Sequence, residues 1–302
     1  MEILDYTFMQ RALLAALIVG ITAPAIGIYL VQRRQSLMGD GIGHVALTGV
    51  GLGFLINSGS IWASPVWVAT FVAIGGSVAM ELIRWYGRTR GDLALAMLFY
   101  GGMAGGVMLM NLSDAGSNAN LSTYLFGSIT TVSSQDMVTI CVLAAVVLAI
   151  TIGLRRQLFA VCQDEEFARV TGLPVRLLNL LVAVTAAVTV TVAMRVVGLL
   201  LVSALMVIPV AAAQQITRSF AVTFVLAVAI GVGVTLTGTA TSYYVDVPSG
   251  ATIVLFAIVL FVLFTALAAP LAKKRARAAA DGAKGCTLEV PGSRTAADDV
   301  SV

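Results

Sequence analysis

The chain contains one histidine, His44, which follows Asp40 by four residues in the stretch Leu37-Met38-Gly39-Asp40-Gly41-Ile42-Gly43-His44. Residues four apart on an α-helix lie on one face, so this spacing sets a carboxylate and an imidazole side by side. An oxygen ligand with a nitrogen ligand suits zinc, manganese or ferrous iron. Two protein ligands are too few to retain such an ion, and a carrier needs that weakness, because it must release what it binds. The same spacing also fits a capping carboxylate next to an interfacial histidine. An ionisable pair at the edge of a membrane span is costly, however, which favours a use for it.

Other residues invite chemistry less strongly. Glu81 and Asp92 flank a stretch containing Arg84, Arg88 and Arg90, where local pairing or helix capping accounts for them. Asp246 opens Asp-Val-Pro-Ser-Gly, a turn signal. Arg195, Gln214 and Gln215 stand near spans and could line a pore. The run from Gln163 to Pro174, containing Glu165, Glu166, Phe167, Ala168, Arg169, Gly172 and Leu173, reads as a short charged helix stopped by glycine and proline. Its apolar Phe167, Val170 and Leu173 could enter a groove on a soluble partner, or the helix could be a plain connector. The chain has no GxxxxGK[ST] and no HExxH, so it carries neither a P-loop nor that zinc-hydrolase motif. No nucleophile paired with a base is evident, which argues against an intramembrane hydrolase. Cys141, Cys162 and Cys286 form no CxxC, so neither a disulfide framework nor a structural zinc site is suggested.

The elements that must position these residues follow from composition. Of 302 residues 59% are hydrophobic and 11% charged, and the mean hydropathy is +0.98. An ordinary soluble domain has roughly 25% charged residues. A water-soluble fold is excluded, and the fold class expected is an all-α polytopic membrane protein. Nine apolar runs come close to the roughly 20 residues that cross a bilayer core: 12–32, 42–58, 62–81, 93–112, 136–154, 177–194, 196–216, 219–240 and 250–269. The sixth and seventh, split by Arg195, could instead be one long helix with a re-entrant piece, giving eight spans. The first run ends in Arg33-Arg34, not in a small-residue cleavage site, and is expected to be retained.

Placing Arg33 and Arg34, then Arg84, Arg88 and Arg90, then Arg155, Arg156, Arg169 and Arg176, then Lys273, Lys274, Arg275 and Arg277 on the cytoplasmic side satisfies the positive-inside rule. The C-terminus is then cytoplasmic and the N-terminus outside. The net charge of +3 reads as topology and gives no reason to expect nucleic acid. Residues 1–270 are expected to form the membrane domain, with a cytoplasmic helix at about 163–174, and 271–302 a disordered tail. The outer stretch from Ser113 to Ser134 is expected to be a polar loop. Pro24 and Pro209 fall inside spans, where each frees a carbonyl, as a kink or as a broken helix beside a permeation route.

Four stretches in order, Arg33 to Asp40 with His44, Phe167 to Pro174, Val197 to Pro209, and Asp246 to Thr252, resemble the permease family of zinc, manganese and iron ABC importers. That family is distantly similar to the vitamin B12 and siderophore permeases. The resemblance implies a dimer of permease subunits in the bacterial cytoplasmic membrane, cytoplasmic ATPase subunits, and an extracytoplasmic metal-binding receptor. It implies that Asp40 and His44 contact the ion, that Glu165 to Pro174 form the coupling helix, and that Pro24, Ser203 and Pro209 belong to the pathway. The family often has Glu at the position of Asp92 and Ser-His at Gly43-His44. On this reading no cofactor is permanently bound, Zn2+, Mn2+ or Fe2+ is cargo, and the chain is no enzyme, since ATP is hydrolysed by a partner. The alternatives are a type II permease for metal chelates such as siderophores or cobalamin, and an ATP-independent secondary transporter.

Overall fold

The computed structural model describes residues 7–56, 65–86, 91–113, 118–127, 134–194, 197–217 and 219–284, and within these all side chains but those of 91–92, 118–121, 134–136 and 268–284. The described residues form helices α1 (Thr7–Gln32), α2 (Met38–Ile56), α3 (Pro65–Trp85), α4 (Gly91–Leu112), α5 (Asn118–Phe126) and α6 (Ser134–Gly153). After these come α7 (Arg155–Gln163), α8 (Glu165–Val170), α9 (Val175–Ala193), α10 (Leu199–Ile216), α11 (Phe220–Val245) and α12 (Ser249–Lys284). Eight helices are individually long and apolar enough to cross a membrane, and α6 with α7, bent by 66° at their junction, makes a ninth when the pair is counted together. The protein is a multi-pass membrane protein of all-α class.

Helix α2 is packed by α3, α4, α9 and α10. Sequence explains how one helix accepts four neighbours. Glycines recur along it, and partners answer with their own: a Cβ on Gly102 of α4 would lie 2.6 Å from the His44 carbonyl carbon, and one on Gly49 would lie 2.6 Å from Cα of Ala69 on α3. In lipid, where apolar burial gives no net advantage over lipid contact, such backbone approach supplies the packing that holds helices together. Elsewhere α1 crosses α11 where Gly20 meets Gly231, and crosses α10 where Gly27 abuts the Met206 carbonyl. Buried threonines spend their hydroxyls on carbonyls: Thr70 and Thr189 bond Val66 and Thr185 one turn back at 2.8 Å, and Thr70 also meets Thr191 of α9 at 3.2 Å. No polar group is thereby left bare to lipid at those positions.

The runs expected at 177–194 and 196–216 are indeed separate helices, α9 and α10, with Gly198 at φ +91 between them, and not one long helix. Helix α2 starts at Met38, four residues ahead of the apolar run, and carries Asp40 and His44 on one helix as their spacing implied. The structure differs from expectation in α5 and α12. The polar outer stretch contains α5, whose Tyr124 is buried and T-stacks on Phe54 at 6.0 Å. Only two aromatics anchor it, so no long apolar run announces it. Helix α12 continues past Pro270 to Lys284, through alanine, lysine and arginine, which favour helix. Residues 285–302, the remainder of the stretch expected to be a disordered tail, lie outside the described residues.

Candidate functional site

Two helix ends define the site's local geometry. Helix α1 stops in a Schellman motif: the Gln35 amide donates to the Leu30 carbonyl at 2.8 Å and that of Arg34 to Val31 at 3.1 Å, with Arg34 itself at φ 57. The chain reverses, and α2 begins three residues later. Asp40 thus falls in the first turn of α2, at the positive end of its dipole, and His44 one turn on.

Asp40 is half-buried and accepts a hydrogen bond from Ser203 Oγ of α10 at 2.5 Å. His44 is 4% exposed, and Phe99 of α4 stands against its ring edge-to-face with centroids 4.2 Å apart. Its Nδ1 is buried and has no partner among the described residues. A buried ring nitrogen without a partner is rare because it costs the desolvation of that group with nothing in return. An ion or other ligand arriving at this point would supply the missing partner. Among the described residues no group of three or more His, Cys, Asp or Glu could hold a metal, so Asp40 and His44 offer two ligands and Ser203 a hydroxyl beside them.

The helix break nearest this pair was not the one expected from proline. Val190 near the end of α9 and Leu199 at the start of α10 both lie against Gly43, so the junction between these helices is level with Gly43 and His44, in the second turn of α2. Gly198 forms that junction and packs on the end of α5, where a Cβ would lie 2.4 Å from the Phe126 carbonyl carbon. Its positive φ leaves room only for glycine there. Pro24 is buried at the crossing of α1 with α11, its ring within 2.5 Å of where a Gly231 Cβ would sit. Pro209 is buried in α10. Both prolines sit within continuous helices. The structure brings Asp40, His44 and Ser203 together and places the two prolines in helix packing. The sequence signal for the break was Gly198 after the charged Arg195, which itself lies outside the described residues.

Helix α8 has the opposite character. The Asp164 side chain caps it by accepting from the Phe167 amide at 2.9 Å. Gly172 at φ 82 closes it, the Leu173 amide donating to Ala168 and that of Gly172 to Arg169, both at 3.1 Å. Ala168 is fully buried and Leu173 packs on the core. Pro174 is the N-cap of α9. Glu165 receives a hydrogen bond from Asn179 Nδ2 at 3.3 Å and stands 3.8 Å from Arg169. Phe167 and Val170 point outward, 66% and 85% exposed, and Glu166 is exposed beside them. Nearby, Arg33 just past α1 is held below its usual value, first by burial and then by Arg84, against the raising influence of Glu81 and Glu165. Glu81 pairs with Arg84 at 3.2 Å, as local pairing predicted. Asp246 is the left-handed C-cap of α11. The side chain of Asp92 lies outside those described.

A multi-pass bundle with close glycine contacts around a carboxylate and an imidazole, and a helix junction beside them, is an arrangement that suits a membrane permease. The sequence profile of the ABC 3 transport family matches residues 5–268, and the chain belongs to this family. It is 34% identical over 263 residues to the manganese transport system membrane protein MntC of Halalkalibacterium halodurans, covering 87% of this chain and 88% of that one. It is 31% identical over 259 residues to the chelated iron transport system membrane protein YfeD of Yersinia pestis, covering 85% of this chain and 84% of that one. Among solved structures it is similar to PsaBC from Streptococcus pneumoniae in complex with Fab, with a TM-score of 0.78 and 28% identity over 87% of this chain and 94% of that one.

Proposed function

We propose that this chain is the membrane permease of an ABC importer for a bare divalent transition-metal ion, zinc, manganese or ferrous iron, with Asp40 and His44 touching the ion in passage. The observation that carries the reading is the buried, unpartnered Nδ1 of His44 one turn from the Ser203-held carboxylate of Asp40. A neutral imidazole nitrogen with a carboxylate oxygen is a competent but incomplete ligand set, so water or Ser203 completes it and the ion is released. Relatives named for manganese and for chelated iron support a metal cargo and leave the element open.

Energy comes from separate cytoplasmic ATPase subunits docking on α8 through Phe167 and Val170, with Glu165 to Pro174 as the coupling segment. An extracytoplasmic metal-binding receptor delivers the ion, and a second permease subunit completes the path. The complex sits in the bacterial cytoplasmic membrane with the C-terminus inside. Reconstitution with the ATPase and receptor tests this: ATP-dependent uptake of the free ion by wild type, and none by Asp40→Ala or His44→Ala complexes of normal composition, is the result expected. Uptake undiminished in both variants, or uptake only of a chelate, would overturn it. Flux through the chain without any ATPase would favour the secondary transporter instead.

A further inference from the structure

A cleft of about 700 Å³ opens between the end of α3, α8 and the first turns of α9, and neither Asp40 nor His44 lines it. Its lining mixes apolar and charged groups: Leu82, Leu177 and Leu180 with Arg84, Arg169 and Arg176, and with the carboxylates of Glu81 and Glu165. Leu82 and Leu177 are 39% and 54% exposed, so apolar surface and guanidinium groups open side by side. Two of the arginines are matched, Arg84 by Glu81 at 3.2 Å and Arg169 by Glu165 at 3.8 Å. Arg176 has no carboxylate within ion-pair distance among the described residues, and lies instead 4.1 Å over the ring of Trp85. Asn179, 7% exposed, gives its Nδ2 to Glu165 and so fixes that carboxylate in the wall beside Arg169.

The cleft therefore lacks an anion for Arg176 and an apolar cover for the leucines. A small soluble anion answers only the first. We propose that the cleft binds an anionic phospholipid: phosphate on Arg176, acyl chains along Leu82, Leu177 and Leu180. Trp85 and Tyr86, 52% and 78% exposed, stand at the same end of α3, where aromatic side chains mark the membrane–water boundary. The cytoplasmic leaflet is the anionic one, and this placement rests on the orientation given under Proposed function. Because Glu165 and Arg169 belong to α8, the lipid would share a wall with the segment that meets the ATPase.

The test is native mass spectrometry of the full chain in detergent, titrated with phosphatidylglycerol or with phosphatidylcholine of the same acyl chains, and with inorganic phosphate as competitor. Phosphatidylglycerol is expected to bind one per chain and about tenfold more tightly than phosphatidylcholine. Arg176→Gln should remove most of that preference and Arg176→Lys should keep most of it, with inorganic phosphate failing to displace the lipid. Arg176 is exposed, so both variants should melt as wild type does. Equal binding of the two lipids, indifference to Arg176→Gln, or displacement by phosphate alone would overturn the proposal. So would expulsion of the lipid on adding the ATPase subunit, which would assign the cleft to that protein. None of these readouts involves metal uptake, so the proposed cargo stands or falls separately.

Discussion

The Asp40–His44 centre and the α8 segment are both polar islands in an apolar chain, yet they are built on opposite rules. At the centre, glycine removes side chains so that backbones touch, and a ring nitrogen is left buried without a partner. In α8 the ends are closed by Asp164 and Gly172, Glu165 is held by Asn179 and Arg169, and apolar Phe167 and Val170 face outward. The proposed cation site rests on an unmatched polar atom inside, and the proposed ATPase contact on unmatched apolar atoms outside.

The strongest way to break this contrast is a double dissociation. Asp40→Ala should cut ATP-dependent metal uptake on the order of a hundredfold or more while leaving ATPase subunits bound, since even outer-shell losses at metal sites cost 10- to 100-fold. Phe167→Asp should do the reverse at its first step, abolishing co-purification of the ATPase while the isolated chain keeps its melting temperature. If either variant lost both properties, the two regions would be one functional unit.

Glycines sharpen it next, because they serve different ends in the two places. Gly27 of α1 has the carbonyl of Met206 where a Cβ would go, and the contact is with backbone that cannot yield. Gly27→Val should cost upwards of about 1–3 kcal/mol, seen as a large drop in melting temperature in detergent. Gly172 has nothing within 4 Å but sits at φ +82. Gly172→Ala should cost about 1–2 kcal/mol from backbone conformation alone, and Gly172→Asn less. Ser203→Ala tests the centre while leaving Asp40 and His44 in place: losing a hydrogen bond to a charged group, worth about 1.5–3 kcal/mol, should weaken apparent metal affinity by about tenfold or more. Ser203→Thr should restore most of it.

The parts of this molecule that sequence could reveal are those governed by local rules. Hydropathy and arginine placement gave the spans, the glycine after Val170 gave the end of α8, and the four-residue spacing gave the Asp40–His44 pair. What stayed hidden depends on other helices. Family resemblance named Ser203 as a pathway residue but not its partner: it lies 163 residues from Asp40 and meets it only because α10 runs antiparallel to α2. The junction level with His44 was hidden because Gly198 matters through its φ and its contact with α5, whereas Pro24 and Pro209 carry the obvious signal and turn out to lie within packed helices. Helix α5 was hidden because a nine-residue element held by Tyr124 and its neighbours has too short a pattern to read.

The smallest effect comes from the best-satisfied group, and for that reason discriminates most finely. Asp164 caps α8 through the Phe167 amide on an exposed stretch of chain, and Asp164→Ala removes that acceptor while water replaces it. Loss of an N-cap costs about 1 kcal/mol, and here it falls on a helix of six residues that has too few turns to hold itself. Global stability should therefore hardly move, since the spans do not depend on α8, while amide hydrogen exchange within 165–170 should rise roughly fivefold. Asp164→Asn or Asp164→Ser should reverse this. If exchange rose equally in α2, or if metal affinity fell with the cap, then the charged end and the buried pair would be mechanically joined even at rest. An effect confined to α8 and to ATPase affinity would show that ATP is needed to join them.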